Sequence, residues 1–267
     1  MNFLISKKEY YRAHVELKRL KFFYPAFIPF QRYYVTERYL LFKGAQYCKL
    51  MDDLPVNGSI QNGIHEIFKI DSYHMQQKFL PAYKILSSWT YCNNSVNDGL
   101  SFHKYFYKRR MFNLLMTSKF DELEITKKNY NCIDSSKYKE LVNYAQKKHN
   151  DMKYPLGGAF LGIIPGMGYI YSGEMGTGIT AFIVIALSAA GSYFSFKTNN
   201  RAIGIFVGAI GTFFYTGNIV GGYMAAKRYN RGKMEQLNDY LIDKLLFESD
   251  REYIYNKFGK VNDGKRK

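Results

Sequence analysis

Apolar residues return at helical intervals through the first 150 positions and then gather into unbroken runs. Tyr11, Val15, Leu17 and Leu20, then Leu40, Leu41, Gly44, Ala45 and Tyr47, keep the spacing of a 3.6-residue helix. Gly and Pro are sparse there, and no Asn-Gly turn sits between alternating strands. Turn residues at Pro25 to Pro29, Pro55 to Gly58 and Asn93 to Gly99 divide the region. The pattern predicts a chain of paired helices over residues 1–153. A loose period is visible, because Gly44, Ala45 and Tyr47 return as Ser87, Ser88 and Tyr91 about 40 residues on. Small residues at such places let one helix of a pair close on its partner, with the aromatic filling the groove to the next pair. A plain helical bundle carries the same pattern.

From Leu156 to Ala226 charge almost disappears. Gly178 to Phe196 and Ala202 to Ala226 are uninterrupted apolar runs, and at 1.5 Å per residue each spans a hydrocarbon core of about 30 Å. Both are predicted transmembrane helices. Leu156 to Tyr171 is shorter and is broken at Pro165-Gly166; its rise of about 24 Å suits a re-entrant or interfacial half-helix rather than a crossing. Non-helical backbone at membrane depth must be satisfied by protein or water, so the turn carrying Pro165, Gly166, Gly168, Tyr171 and Gly173 should lie against the spans or at the interface. Gly158, Gly162 and Gly166 recur every four residues, as do Gly204 and Gly208, and Gly217 and Gly221, giving stripes for close helix packing within one chain or between copies in a homo-oligomer. Asn218 is expected to hydrogen-bond across helices, and Glu174 to be a solvated loop carboxylate.

Charge then divides the chain into 1–153, a membrane domain at 154–230, and a tail at 231–267. Lys and Arg exceed Asp and Glu by 11 over residues 1–153, by 1 over 154–226 and by 4 over 227–267, within a net charge of +16. Lys147, Lys148 and Lys153 precede the apolar region, Lys227, Arg228, Arg231 and Lys233 follow it, and the loop between the runs has only Lys197 and Arg201. The positive-inside tendency places both ends in the cytoplasm, and these cations suit a bilayer with anionic headgroups. Nucleic acid is not an expected partner, since no basic-aromatic recognition motif occurs. In the tail, Leu237, Leu241, Leu245 and Ile254 form an apolar stripe with Tyr240 and Phe247 beside it. This amphipathic C-terminal helix could lie on the membrane or dock on the helical domain; its balanced charges favour docking, and GKRK is a solvated basic end. The 25 Tyr and 21 Phe exceed what such a core needs and favour an interaction surface.

Catalytic patterns are missing. Cys48, Cys92 and Cys132 form no C-x-x-C pair and are expected to be buried thiols. His14, His65, His74, His103 and His149 show no metal-ligand spacing, and neither a phosphate-binding G-x-x-x-x-G-K-[ST] loop nor a G-x-S-x-G elbow is present. We expect no enzymatic activity, cofactor or metal.

The opening KKEYYRAHVELKRLKFFYP resembles the first repeat of bacterial tetratricopeptide-like membrane proteins of unknown function. The turn at Pro165, Gly166, Gly168, Tyr171 and Gly173, and YTGNIVGGYMAAKRYN at Tyr215 to Asn230, are similar to their P-G-x-G-x-x-Y-x-G turn and their closing signature. The turn is also similar to that of two-span domains marked by G-x-x-Y-x-G, with KTNNR replacing their charged loop. The resemblance implies an all-α chain of the bacterial inner membrane: a tetratricopeptide-like helical-hairpin domain that binds protein partners, anchored by a multi-pass membrane domain. It also implies an exported repeat domain, whereas MNFLISKKEYY has no apolar core long enough for a signal peptide and the charges point to the cytoplasm. Both orientations remain open. The expected role is a membrane-anchored scaffold; the alternatives are an accessory factor in membrane-protein insertion or envelope biogenesis, and a small transporter or channel subunit.

Overall fold

The computed structural model describes residues 1–26, 28–52, 59–88, 102–129, 134–245 and 247–259. Every regular element among these residues is helical. The chain separates into two compact units, one formed by Met1–Val142 with the residues from Tyr240 on, the other by Asn143–Asp239. These boundaries differ from the 153/154 and 230/231 divisions read from charge, and they fall within the helices Ser135–Asn150 and Arg201–Leu245.

The first unit opens with four helical hairpins: α1 (Asn2–Ser6) with α2 (Tyr10–Phe23), α3 (Phe30–Lys43) with α4 (Tyr47–Asp52), α5 (Ser59–Met75) with α6 (Phe79–Ser88), and α7 (Phe102–Met116) with α8 (Phe120–Asn129). Each is closed by one device. A residue in the left-handed region, Lys8, Ala45, Gln77 or Ser118, ends the first helix. The next N–H then reaches back five residues, as Gln46 to Leu41, Lys78 to Tyr73 and Lys119 to Leu114 show, which satisfies carbonyls the helix end leaves open. α3 touches α5, and α5 touches α7, so the first helices of successive hairpins adjoin. Leu17, Leu40, Ile64, Ile67, Phe68, Met111 and Phe112 are among the buried side chains.

Two sequence expectations change here. Gly44 and Ala45 do not close helix pairs: they terminate α3, because a left-handed residue at 45 stops the helix that their spacing seemed to continue. Cys48 is exposed on α4 rather than buried; Cys92, Cys132, Tyr91 and the turns at Pro55 to Gly58 and Asn93 to Gly99 lie outside the described residues. Within the same unit, α14 (Phe247–Ile254) and a π-helical turn (Tyr255–Gly259) cover the first helices of the hairpins, with Phe247, Arg251, Ile254 and Tyr255 buried. Thr36 donates to the Gly259 carbonyl at 2.6 Å.

The second unit holds the end of α9 (Ser135–Asn150), α10 (Pro155–Leu161), α11 (Met167–Tyr171), α12 (Met175–Lys197) and most of α13 (Arg201–Leu245). Pro155 starts α10, where its missing N–H costs nothing. α12, with 23 residues, and α13, with 45, are long and apolar enough to cross a membrane.

Candidate functional site

The glycine turn and the closing signature form one surface. Tyr215, Asn218, Gly222, Ala226 and Asn230 recur every three or four residues and so share one face of α13. The segment from Lys153 to Ile163 lies along that face in the opposite direction, and from Gly166 to Gly168 the chain returns along it. Asn230 exchanges two bonds with the Lys153 backbone, donating to its carbonyl and accepting its N–H, both at 2.8 Å. Gly158 follows: a Cβ there would sit 2.5 Å from the Gly222 carbonyl oxygen and 3.3 Å from Ala226 Cβ. A Cβ on Gly168 would meet the Gly158 oxygen at 2.5 Å and Gly222 Cα at 2.9 Å. Three backbones thus touch where no side chain fits.

At the tip, Asn218 donates to the Gly162 carbonyl at 2.5 Å and accepts the Gly166 N–H at 3.0 Å. Tyr215 donates to the Ile163 carbonyl at 3.0 Å. These contacts satisfy backbone groups that the break between α10 and α11 releases. Gly166 takes φ +82, and a Cβ on it would collide with the Gly178 carbonyl. Asn218→Ala should lower stability by about 1–3 kcal/mol, since it strands one carbonyl and one N–H. Thermal unfolding of the purified full chain checks this, and an unchanged melting temperature would show that the clasp is not needed.

The remaining sites from the sequence divide plainly. Gly162 lies against Ile219 Cα (3.0 Å from a would-be Cβ), Gly204 against the Phe196 ring (3.1 Å), Gly208 against Ser192 Oγ (3.0 Å), and Gly221 against the Tyr169 hydroxyl. Gly217 has nothing within 4 Å, so the pair Gly217 and Gly221 is not a continuous contact, and Gly222 is the glycine that meets backbone instead. Gly173, at φ +87, ends α11 in open space. Pro165 is partly buried within the turn. The Tyr171 hydroxyl accepts the Tyr154 N–H at 3.0 Å.

Most of the cations are held by neighbours rather than standing free. Lys153 lies over Tyr171 and Tyr229, Lys233 over Tyr229, and Lys227 over Tyr223. Lys148 donates to Gln236 at 2.7 Å, and Lys233 pairs with Asp151 at 3.3 Å. Lys147 and Arg231 are exposed. Glu174 is no isolated loop carboxylate: Arg228 grips both its oxygens at 3.0 and 2.9 Å, a fork geometry that ties the start of α12 to α13.

A second cluster, in the first unit, was missed by sequence reasoning. Asp71 of α5 is buried and receives Nε and Nη2 of Arg109 at 2.7 and 2.8 Å, and Nη1 of Arg251 at 2.9 Å. Lys108 donates to Asp250 at 2.9 Å, Arg251 to Glu248 at 2.8 Å, and Lys43 pairs with Glu248. Burial by itself would raise the Asp71 carboxyl, but Arg109 and then Arg251 outweigh it and hold it below the usual range. Burial pushes His74 down to about 3 against the pull of Asp71, so its imidazole is neutral. Asn113 donates to the Phe79 carbonyl at 2.9 Å, with His74 3.4 Å away. The cluster ties α5 and α7 to the C-terminal segment through paired charges.

Among the described residues, fold and site define an all-α protein with two helices long and apolar enough to cross a membrane. No protein-family model, curated protein or solved structure matches the chain.

Proposed function

We propose that this is a membrane-anchored scaffold, in which an array of helical hairpins holds a protein partner and the second unit anchors it in the bacterial inner membrane. The observation that carries the reading is the exposure of the most apolar helices. None of the most apolar stretch of α12 is buried, and only 11% of that of α13. A core helix of a water-soluble protein would bury such a stretch, and a leader would stand at the chain start. Phe160, Ile163 and Ile164 on the α10–α11 hairpin, Phe182 and Leu187 on α12, and Phe206 and Phe213 on α13 also face outward. An apolar surface this continuous calls for lipid.

Polar groups in the same helices agree with that solvent. The hydroxyls of Ser188, Ser195 and Thr212 each donate to the carbonyl four residues back, and Ser192 donates across to Gly204. Between Asn230 and Tyr215 the α10–α11 hairpin follows α13 for about 22 Å, which brings its tip near the middle of the Ala202 to Ala226 run. This supports a re-entrant hairpin, with its broken backbone satisfied by Asn218 and Tyr215. α12 and α13 then make the two crossings, and both flanks of the membrane domain leave on one side. The same commitment of Asn218 to Gly162 and Gly166 weighs against a transport role, which needs polar groups free for a substrate.

Adjoining first helices in successive hairpins support a tetratricopeptide-like arrangement of the first unit. Affinity purification of the full chain from native membranes tests the scaffold reading. A fixed protein partner in stoichiometric amount is the expected result. Ribosomes or translocation machinery in its place would make the protein an insertion factor, and recovery of the chain alone would contradict the scaffold.

A further inference from the structure

α2 buries one side and leaves an apolar one outside. Ala13, His14 and Leu17 are buried, whereas Tyr11, Val15, Lys18 and Phe22 recur every three or four residues along another face and are exposed. The chain beyond α2 extends that patch: Phe23, Tyr24 and Phe30 are exposed, and Phe22, at 80% exposure, packs edge-on against Phe23 with ring centres 5.1 Å apart. Lys21 donates to the Pro25 carbonyl at 3.0 Å, which holds the start of the loop in place. α2 packs on α1 and α3, at the start of the hairpin series. The outer face of a terminal repeat is ordinarily polar, because no further repeat covers it. Here Tyr11, Val15, Phe22, Phe23, Tyr24 and Phe30 stand on it instead, and an exposed apolar patch edged by charge marks an interaction surface.

Charge identifies what covers it. Between Leu17 and Thr36 the chain holds Lys18, Arg19, Lys21 and Arg32 and neither Asp nor Glu. The carboxylates on the N-terminal side, Glu9 and Glu16, are engaged by Arg12 at 2.7 Å and Arg19 at 3.5 Å. A second copy of the chain would set these cations against their equals, in a molecule already at +16. Lysine is depleted at interfaces between proteins, but beside an anionic headgroup each cation adds attraction. Aromatic side chains flanked by Lys and Arg are the composition that seats at the boundary between headgroups and acyl chains. We propose that this patch is a second membrane contact, in which the aromatic side chains enter the headgroup layer of an anionic bilayer and Lys18, Arg19 and Arg32 meet its phosphates. The proposal rests on the anchoring reading, since spans in the same chain give a weak contact of this kind a high effective concentration of lipid.

The test uses the full chain in nanodiscs of phosphatidylglycerol and phosphatidylcholine in equal parts, or of phosphatidylcholine alone, with and without bromine at the headgroup end of the acyl chains. A Phe22→Trp variant reports the patch, and Phe206→Trp, on α13, reports the spans. The unsubstituted chain supplies the blank for its single tryptophan, Trp89. With phosphatidylglycerol present, bromine should quench the Phe22→Trp emission strongly, and with phosphatidylcholine alone it should quench less. Adding Lys18→Glu and Arg32→Glu should remove most of the quenching, since each cation beside an anionic surface strengthens binding about fivefold. Both side chains are exposed, so circular dichroism should show the same melt. Phe22→Trp emission that bromine leaves untouched in phosphatidylglycerol discs would overturn the proposal and leave the patch to a protein partner. Equal quenching in the two lipids, or after the charge reversals, would overturn it as well. Phe206→Trp should be quenched in every disc; if it is not, the anchor has failed and the proposal with it, so the two failures are told apart.

Discussion

Gly222→Leu should destabilise the second unit more than any other single change on α13. A side chain at 222 would run into the Gly158 carbonyl and would lie 3.0 Å from Gly168 Cα. Both obstacles are backbone, so no rotamer change relieves the clash, and α10 and α11 would have to lift off α13. Overpacking that side chains can absorb costs roughly 1–3 kcal/mol; here we expect more than about 3 kcal/mol. Gly217→Leu is the control, because the space beside Gly217 is open, and it should change stability little. Thermal unfolding of both variants of the full chain in detergent makes the comparison. Equal losses at 217 and 222 would mean that the three-glycine contact does not exist as described.

The second large effect is expected at Asp71. Asp71→Asn keeps the shape but leaves the guanidinium groups of Arg109 and Arg251 facing each other beside an uncharged amide, with Arg109 fully buried. Removing one partner of a buried ionic pair costs about 3–5 kcal/mol, mostly through the charge left behind. Arg109→Met alone should cost a similar amount, since the Asp71 carboxylate then keeps only Arg251. The double variant Asp71→Asn with Arg109→Met should cost clearly less than the two added together, because the two groups act as a unit. Urea unfolding of the four forms gives the coupling. Additive losses would show that the pair is incidental to the unit's stability.

The helices of the second unit were legible because long apolar runs and a glycine turn are local patterns. So was the hydrogen-bonding role of Asn218, since an amide in an apolar helix needs a partner. Which glycines meet was not legible. Gly221 and Gly222 are neighbours but point about 100° apart, so Gly221 faces the Tyr169 hydroxyl while Gly222 faces backbone. Four-residue spacing alone cannot set that phase. The 218, 222, 226, 230 series of Asn, Gly, Ala and Asn did carry the signal, within a segment read as a signature rather than as a helix face.

The hairpin ends in the first unit escaped for a different reason. Ala45, Gln77 and Ser118 take the left-handed conformation without the glycine that usually marks it, so a break after Lys43 looked like helix continuing through Gly44 and Ala45. The ionic cluster is a matter of distance along the chain. Asp71 and Arg109 are 38 residues apart, and Asp71 and Arg251 are 180 apart, so each appears in the sequence as one more charged residue in a helix. Docking of the C-terminal helix was favoured by its balanced charges, but the buried arginine that anchors it had no sequence mark.

Anchoring by α12 and α13 is the claim on which the rest depends, and extraction of native membranes with alkaline carbonate tests it most directly. Two crossings bury enough apolar surface to resist both high pH and salt, whereas a protein held only by Lys and Arg on anionic headgroups is released when its charges are screened or lost. The full-length chain should stay entirely in the membrane pellet after both washes and leave it only with detergent. Its appearance in the carbonate supernatant would contradict the two-span anchor.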